Sequence, residues 1–165
     1  MSNLDFERIL SDIRQFADAA KDLAELQEFC VSHIVESLPH YNWAGFYMLA
    51  TNEPDVLVLG PFRGVPTEHV RIPVAQGICG ATVAQGNVII VEDVTSDPRY
   101  LACSLETKSE IVVPIWVDGG AIGEIDIDSH SRSAFGGEDR VFLEECAAIV
   151  GQFIAQHPSE GQREK

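Results

Sequence analysis

The chain has 165 residues and a formal net charge of −15, from 11 Lys and Arg against 26 Asp and Glu. That balance argues against nucleic acid or an anionic membrane as partner, because little is there to neutralise phosphate. The length suits one domain with a full core, no run of roughly 18 apolar residues could span a bilayer, and the polar opening MSNLDFERIL is unlike a secretory signal.

Apolar residues at helical spacing predict a first helix over Leu4 to Ala20. A second follows over Leu23 to Leu38, where Leu23, Leu26, Cys30, Ile34 and Leu38 recur every three to four residues and Pro39 ends the run. YNWAGFYML and DVLVLG, separated by the turn NEPD, read as paired strands. A short strand is expected at His69 to Ile72. QGICGATVAQGN reads as a short helix stopped by Gly86 and Asn87. VIIVEDV is a short strand, and TSDPRYLACSLETK is loop with one helical turn. SEIVVPIWV and GAIGEIDIDS flank Asp118-Gly119-Gly120, a hairpin signal. Gly137 to Gln156 closes the chain as an amphipathic helix, and HPSEGQREK reads as a frayed tail. This order predicts an α+β fold, a mainly antiparallel sheet with helices on one face.

Strand alternation places Trp43, Gly45 and Tyr47 on one face of the first strand, and Glu124, Asp126 and Asp128 on one face of the last. Glu110 opens another apolar strand. A glycine between two aromatics leaves room for a ligand. Carboxylates would hold an ammonium group by charge-assisted hydrogen bonds, while the rings wall in an alkyl or sulfur group. Taken alone, Trp43 and Tyr47 would be core aromatics and the acidic row a solvated outer face. Glu110 within an apolar strand needs a separate reason, because a buried carboxylate is costly unless paired, protonated or bound.

The four cysteines, Cys30, Cys79, Cys103 and Cys146, are scattered. With no CxxC pair, a structural zinc site is not expected. Cys30 and Cys146 fall on apolar helix faces and read as inert core residues. Cys79 lies in GICG at a helix start, where the positive end of the helix favours a thiolate. Cys103 lies in a loop, more open to reagents, although taken alone both Cys79 and Cys103 read as inert, as most cysteines are. GICG is not a phosphate loop, since no Lys-Ser or Lys-Thr pair follows it.

WAGFY, VRIPVAQGICG, the loop cysteine of YLAC, KSEIVVPI and IGEIDIDS together carry a resemblance. From Trp43 to Ser129 the chain resembles the free methionine-(R)-sulfoxide reductases, a family of single GAF-domain enzymes. The resemblance implies one GAF domain over residues 1–157, with 158–165 a flexible tail. It implies that Cys103 is the catalytic cysteine, that Glu110, Asp126 and Asp128 bind substrate, and that Trp43 and Tyr47 line the pocket. Cys79 matches a second family cysteine able to pair with the first, and Glu110 is the candidate proton donor. The implied substrate is free methionine (R)-sulfoxide and the implied reductant thioredoxin. No cofactor or metal is implied. A homodimer in the cytoplasm is expected.

One position departs from the pattern. The family usually has a further cysteine ten residues before the GICG cysteine, which resolves the catalytic sulfenic acid; here that residue is His69. His69 by itself reads as a partly exposed histidine at a strand edge. The alternative function is therefore a GAF ligand-binding or redox-sensing module whose recycling has lapsed. A cyclic-nucleotide GAF domain is a third reading, disfavoured because a phosphate would meet repulsion from the acidic row.

Overall fold

The computed structural model describes residues 3–101 and 105–158. Among the described residues, four α-helices accompany one six-stranded antiparallel sheet. The elements are α1 (Asn3–Ala19), α2 (Leu23–Ser37), β1 (Trp43–Leu49), β2 (Val56–Arg63), β3 (Arg71–Pro73), α3 (Gly77–Gln85), β4 (Ile89–Val91), β5 (Ser109–Val117), β6 (Gly120–Ser129) and α4 (Gly137–Gln156). A 3₁₀ turn at Val94–Ser96 supplies the helical turn expected in the long loop.

Local chemistry accounts for the boundaries. Asp22 caps α2 by accepting the Glu25 backbone N–H at 2.9 Å, and Leu38 closes it ahead of Pro39. Gly86 ends α3 in the left-handed conformation, with φ +68°. Asp118 and Gly119 both take positive φ and form a two-residue hairpin turn between β5 and β6. The third strand begins at Arg71, two residues later than expected. Before it, the His69 N–H bonds to Thr67 Oγ1 at 3.1 Å and the Val70 N–H to the Glu68 carbonyl at 2.9 Å, and these local turns keep His69 out of the strand.

The sheet order is β3-β2-β1-β6-β5-β4, so the first and last long strands are central neighbours. Alternation then sorts their side chains between two cores. Ala44, Phe46, Met48, Ile111, Val113, Ile115, Ile125 and Ile127 pack against α1, α2 and α4. Trp43, Tyr47, Leu57, Ile72 and Val112 pack with Ile78, Cys79, Ala81 and Val83 of α3 on the opposite face. The terminal helices share one face as expected. The excursion through α3 covers the other, so the central strands are buried on both sides, and this decides the fate of the acidic row. No helix among the described residues is long and apolar enough to cross a membrane.

Candidate functional site

The register brings the predicted side chains onto the α3 face. β1 pairs with β6 so that Trp43 opposes Asp128, Gly45 opposes Asp126, and Tyr47 opposes Glu124. β5 pairs with β6 so that Glu110 opposes Asp128 and Val112 opposes Asp126. Glu110, Glu124, Asp126 and Asp128 are all buried, at 3%, 0%, 0% and 1% exposure. The acidic row is therefore not the solvated face it would be on its own, because α3 lies over it. Four carboxyl groups in one apolar layer are a costly arrangement that packing alone does not require.

Cys79 enters the same layer from α3. Its thiol donates to Asp126 Oδ2 at 3.3 Å. The Cys79 Sγ, a Glu110 oxygen and an Asp126 oxygen lie within 4.8 Å of one another. The expectation of a helix-stabilised thiolate at Cys79 is corrected by this setting. Burial pushes the Cys79 thiol well above its ordinary value, and Asp126, Glu124 and Glu110 push it further. A partial helix charge does not outweigh three carboxyl groups and the loss of water.

The acids are displaced in the same sense. Burial raises Glu124 well above the usual carboxyl range; the nearby Cys79 thiol opposes this and Asp126 adds to it. Burial also raises Asp126, against hydrogen bonding to Glu110 and Cys79. Asp128 is raised well above its usual value by burial and by Asp126, with Glu110 opposing. The layer therefore stores protons, and protonated carboxyl groups can serve as acids. Among the described residues, both oxygens of Glu124, both of Asp128, and Oδ1 of Asp126 have no hydrogen-bond partner. Such groups are unsatisfied without a ligand or a proton to share.

The aromatics are held firmly. The Tyr47 hydroxyl donates to the His69 carbonyl at 2.7 Å. Trp43 Nε1–H donates to the Val65 carbonyl at 2.9 Å, and its indole stacks on Phe62 with centroids 5.6 Å apart. The room expected beside Gly45 is filled by that indole: a Cβ on Gly45 would stand 2.4 Å from Trp43 Cη2. The cavity lies next to it instead. It is small, about 10 Å³, and lined by Tyr47, His69, Ile72, Ile78, Cys79, Leu101 and Glu110. Trp43, Asp126 and Asp128 do not line it, although Asp126 reaches it through Cys79.

His69 is partly buried on this wall, just outside β3. Cys103 lies outside the described residues. Cys30 and Cys146 are buried free thiols, as expected of core residues. Burial raises Cys30 to about 12, and raises Cys146 well above its ordinary value. Glu124, which strand spacing placed in the acidic row, was given no role by the resemblance, and the structure buries it in the same layer.

The GAF domain family model matches residues 20–155. The chain is 38% identical over 152 residues to Protein YtsP of Bacillus subtilis, covering 92% of each. It is 37% identical over 153 residues to the free methionine-R-sulfoxide reductase of Escherichia coli, covering 93% of this chain and 86% of that protein. The free methionine-R-sulfoxide reductase of Neisseria meningitidis, solved in complex with its substrate, superposes with a TM-score of 0.88 at 33% identity, covering 96% of this chain and 95% of that one. The chain belongs to the GAF-domain family and, within it, to the free methionine-R-sulfoxide reductases.

Proposed function

We propose that this protein reduces free methionine (R)-sulfoxide to methionine by cysteine chemistry. The observation that carries the reading is a buried layer in which Cys79, Glu110 and Asp126 converge within 4.8 Å, beside Tyr47. A zwitterion has an ammonium group to satisfy buried carboxylates, and a sulfoxide oxygen to accept a proton from a buried acid. Asp126 and Asp128 are assigned to the ammonium group, Trp43 and Tyr47 to the walls, and Glu110 to the proton.

In this reading the Cys103 thiolate attacks the sulfoxide sulfur. The oxygen is transferred to the enzyme sulfur, methionine departs, and Cys103 is left as a sulfenic acid. The Cys79 thiol condenses with it, releasing water and forming a disulfide. A thioredoxin dithiol then reduces that disulfide by exchange and is itself oxidised. The raised Cys79 thiol fits a resolving residue that stays protonated until the sulfenic acid forms. A cavity of about 10 Å³ holds no more than one water, so admission of the amino acid calls for displacement of its wall, which includes Leu101. A homodimer is part of the same proposal and is checked by light scattering.

The test is epimer-specific turnover. With a dithiol reductant, the (R) epimer is converted to methionine and the (S) epimer is not, and Cys103→Ser abolishes the reaction. Failure to consume the (R) epimer while all thiols are reduced would overturn the proposal. A second reading, a binding or redox-sensing module, is favoured by His69 standing on the cavity wall where the resemblance places a cysteine. It predicts one equivalent of methionine per chain and then arrest with thioredoxin.

A further inference from the structure

The reductase reading leaves Glu124 unused. Glu124 is fully buried, shares its strand face with Asp126, and among the described residues has no hydrogen-bond partner at either oxygen. No Lys or Arg forms an ion pair with Glu124, Asp126 or Asp128 among the described residues. The ammonium group of one amino acid would bring one positive charge to four carboxyl groups and a thiol. An ammonium group also gains little from sulfur.

We propose that Cys79, Glu110 and Asp126 form a binding site for a thiophilic divalent cation, zinc foremost, and that this cation and the amino-acid substrate exclude one another. The donor set is one sulfur and two carboxylates, from three separate elements: α3, β5 and β6. Zinc accepts both donor types at about 2.0–2.3 Å, which sets neighbouring ligands roughly 3.5 Å apart in a tetrahedron. The Cys79 Sγ to Asp126 Oδ2 edge, 3.3 Å, already has that length. The remaining edges of the Cys79, Glu110 and Asp126 triangle lie within 4.8 Å, so closure needs movement of about an ångström.

Glu124, on the strand face of Asp126, adds negative charge beside this triangle, and the fourth position of a tetrahedral ion is left to water. The sulfur selects against magnesium and calcium, which require more oxygen ligands and water. Binding displaces protons from the thiol and the carboxyl groups, so affinity rises with pH. The held thiolate could not condense with a sulfenic acid, and the cation would replace the ammonium group as counter-charge. The site thus couples availability of the metal to idling of the pocket.

The experiment is metal titration of the reduced, chelator-stripped protein, read by cobalt(II) absorbance and zinc calorimetry. One equivalent of cobalt is expected to give a near-ultraviolet thiolate-to-metal band, displaced by zinc and, in Cys103→Ser, where no sulfenic acid can form, suppressed by methionine sulfoxide. Cys79→Ser should abolish the band and weaken zinc more than tenfold. Asp126→Asn should weaken zinc about tenfold, while Cys103→Ser should bind as the parent does. In the unsubstituted protein, zinc should slow alkylation of Cys79 mapped by mass spectrometry, a readout that needs no variant to fold. Absence of stoichiometric binding, or alkylation of Cys79 unchanged by zinc, overturns the proposal. None of these readouts depends on turnover, so the site can fail or hold independently of the reductase reading.

Discussion

The thiol of Cys79 and the carboxylate of Asp126 meet at 3.3 Å in a layer shut off from water. The contact ties α3 to the centre of the sheet and sets the reactivity of the thiol. Because a neighbouring negative charge disfavours a thiolate, Asp126→Asn should lower the pH at which Cys79 becomes reactive. Burial is the larger cause and persists in the variant, so the inflection should stay above the ordinary thiol value of about 8.5. Alkylation rates of Cys79 against pH, followed by peptide mass mapping, check this. An inflection that does not move would show that Asp126 has no hold on the thiol.

Stability should carry the signature of the buried acids. Glu124, Asp126 and Asp128 have folded-state values raised above their unfolded ones. Above the unfolded values, near 4, the folded protein binds more protons than the unfolded chain. The contribution of these acids is therefore most favourable at low pH and is lost as pH rises through the folded values. Each pH unit between a folded value and its unfolded counterpart costs about 1.4 kcal/mol. Below the window the sign reverses, because Thr95 holds Asp93 low and Arg99 holds Asp97 low. Urea midpoints should fall from pH 5 to pH 8, and Glu124→Gln should flatten that slope by raising the midpoint at pH 8. Equal slopes in parent and variant would contradict the burial of a titrating carboxyl group at 124.

Much of this fold was legible because its punctuation is local. Asp22, Pro39, Gly86 and the Asp118-Gly119 turn each act within a few residues, and the helices and long strands start and stop close to where these residues place them. The shared faces of β1 and β6 were legible from period two. What was not legible is what lies over a face. Nothing in IGEIDIDS says that α3 will cover it, so the row by itself would be a solvated face, and only Glu110 and the resemblance argued for a pocket. The space beside Gly45 failed for a related reason, since a side chain two residues away can fold back into a gap that spacing leaves open. The Cys79, Glu110 and Asp126 convergence joins positions from three elements and has no spacing signature.

The indole packed over Gly45 makes that glycine a steric requirement. A Cβ there would stand 2.4 Å from Trp43 Cη2 and 3.1 Å from Phe62 Cβ. Gly45→Ala should therefore displace the indole and cost about 1–3 kcal/mol, the usual range for overpacking. Gly137→Ala, where a Cβ would meet nothing within 4 Å, is the matched control and should change stability little. Denaturant midpoints with tryptophan emission measure both. An unchanged midpoint in Gly45→Ala would mean that the indole yields freely, and Trp43 would then be a mobile wall.

Position 69 offers the sharpest test of recycling. His69 lines the same cavity as Cys79, and its carbonyl is pinned by the Tyr47 hydroxyl at 2.7 Å, so the backbone there is fixed by a buried ring. His69→Cys would add a thiol to that wall without disturbing the pinning bond, which uses only the main chain. In the reductase reading, formation of the first equivalent of methionine depends on Cys103 and should be unchanged. The step after it depends on a thiol reaching the sulfenic acid, so thioredoxin-supported turnover should rise several-fold. In a Cys79→Ser background the rise should be larger, because the new thiol would then be the only one of the two left to resolve Cys103. Rapid-quench single turnover and steady-state rates with thioredoxin separate the two steps. A faster first turnover with no gain in recycling would mean that residue 69 acts on substrate entry, and the resolving duty would remain with Cys79.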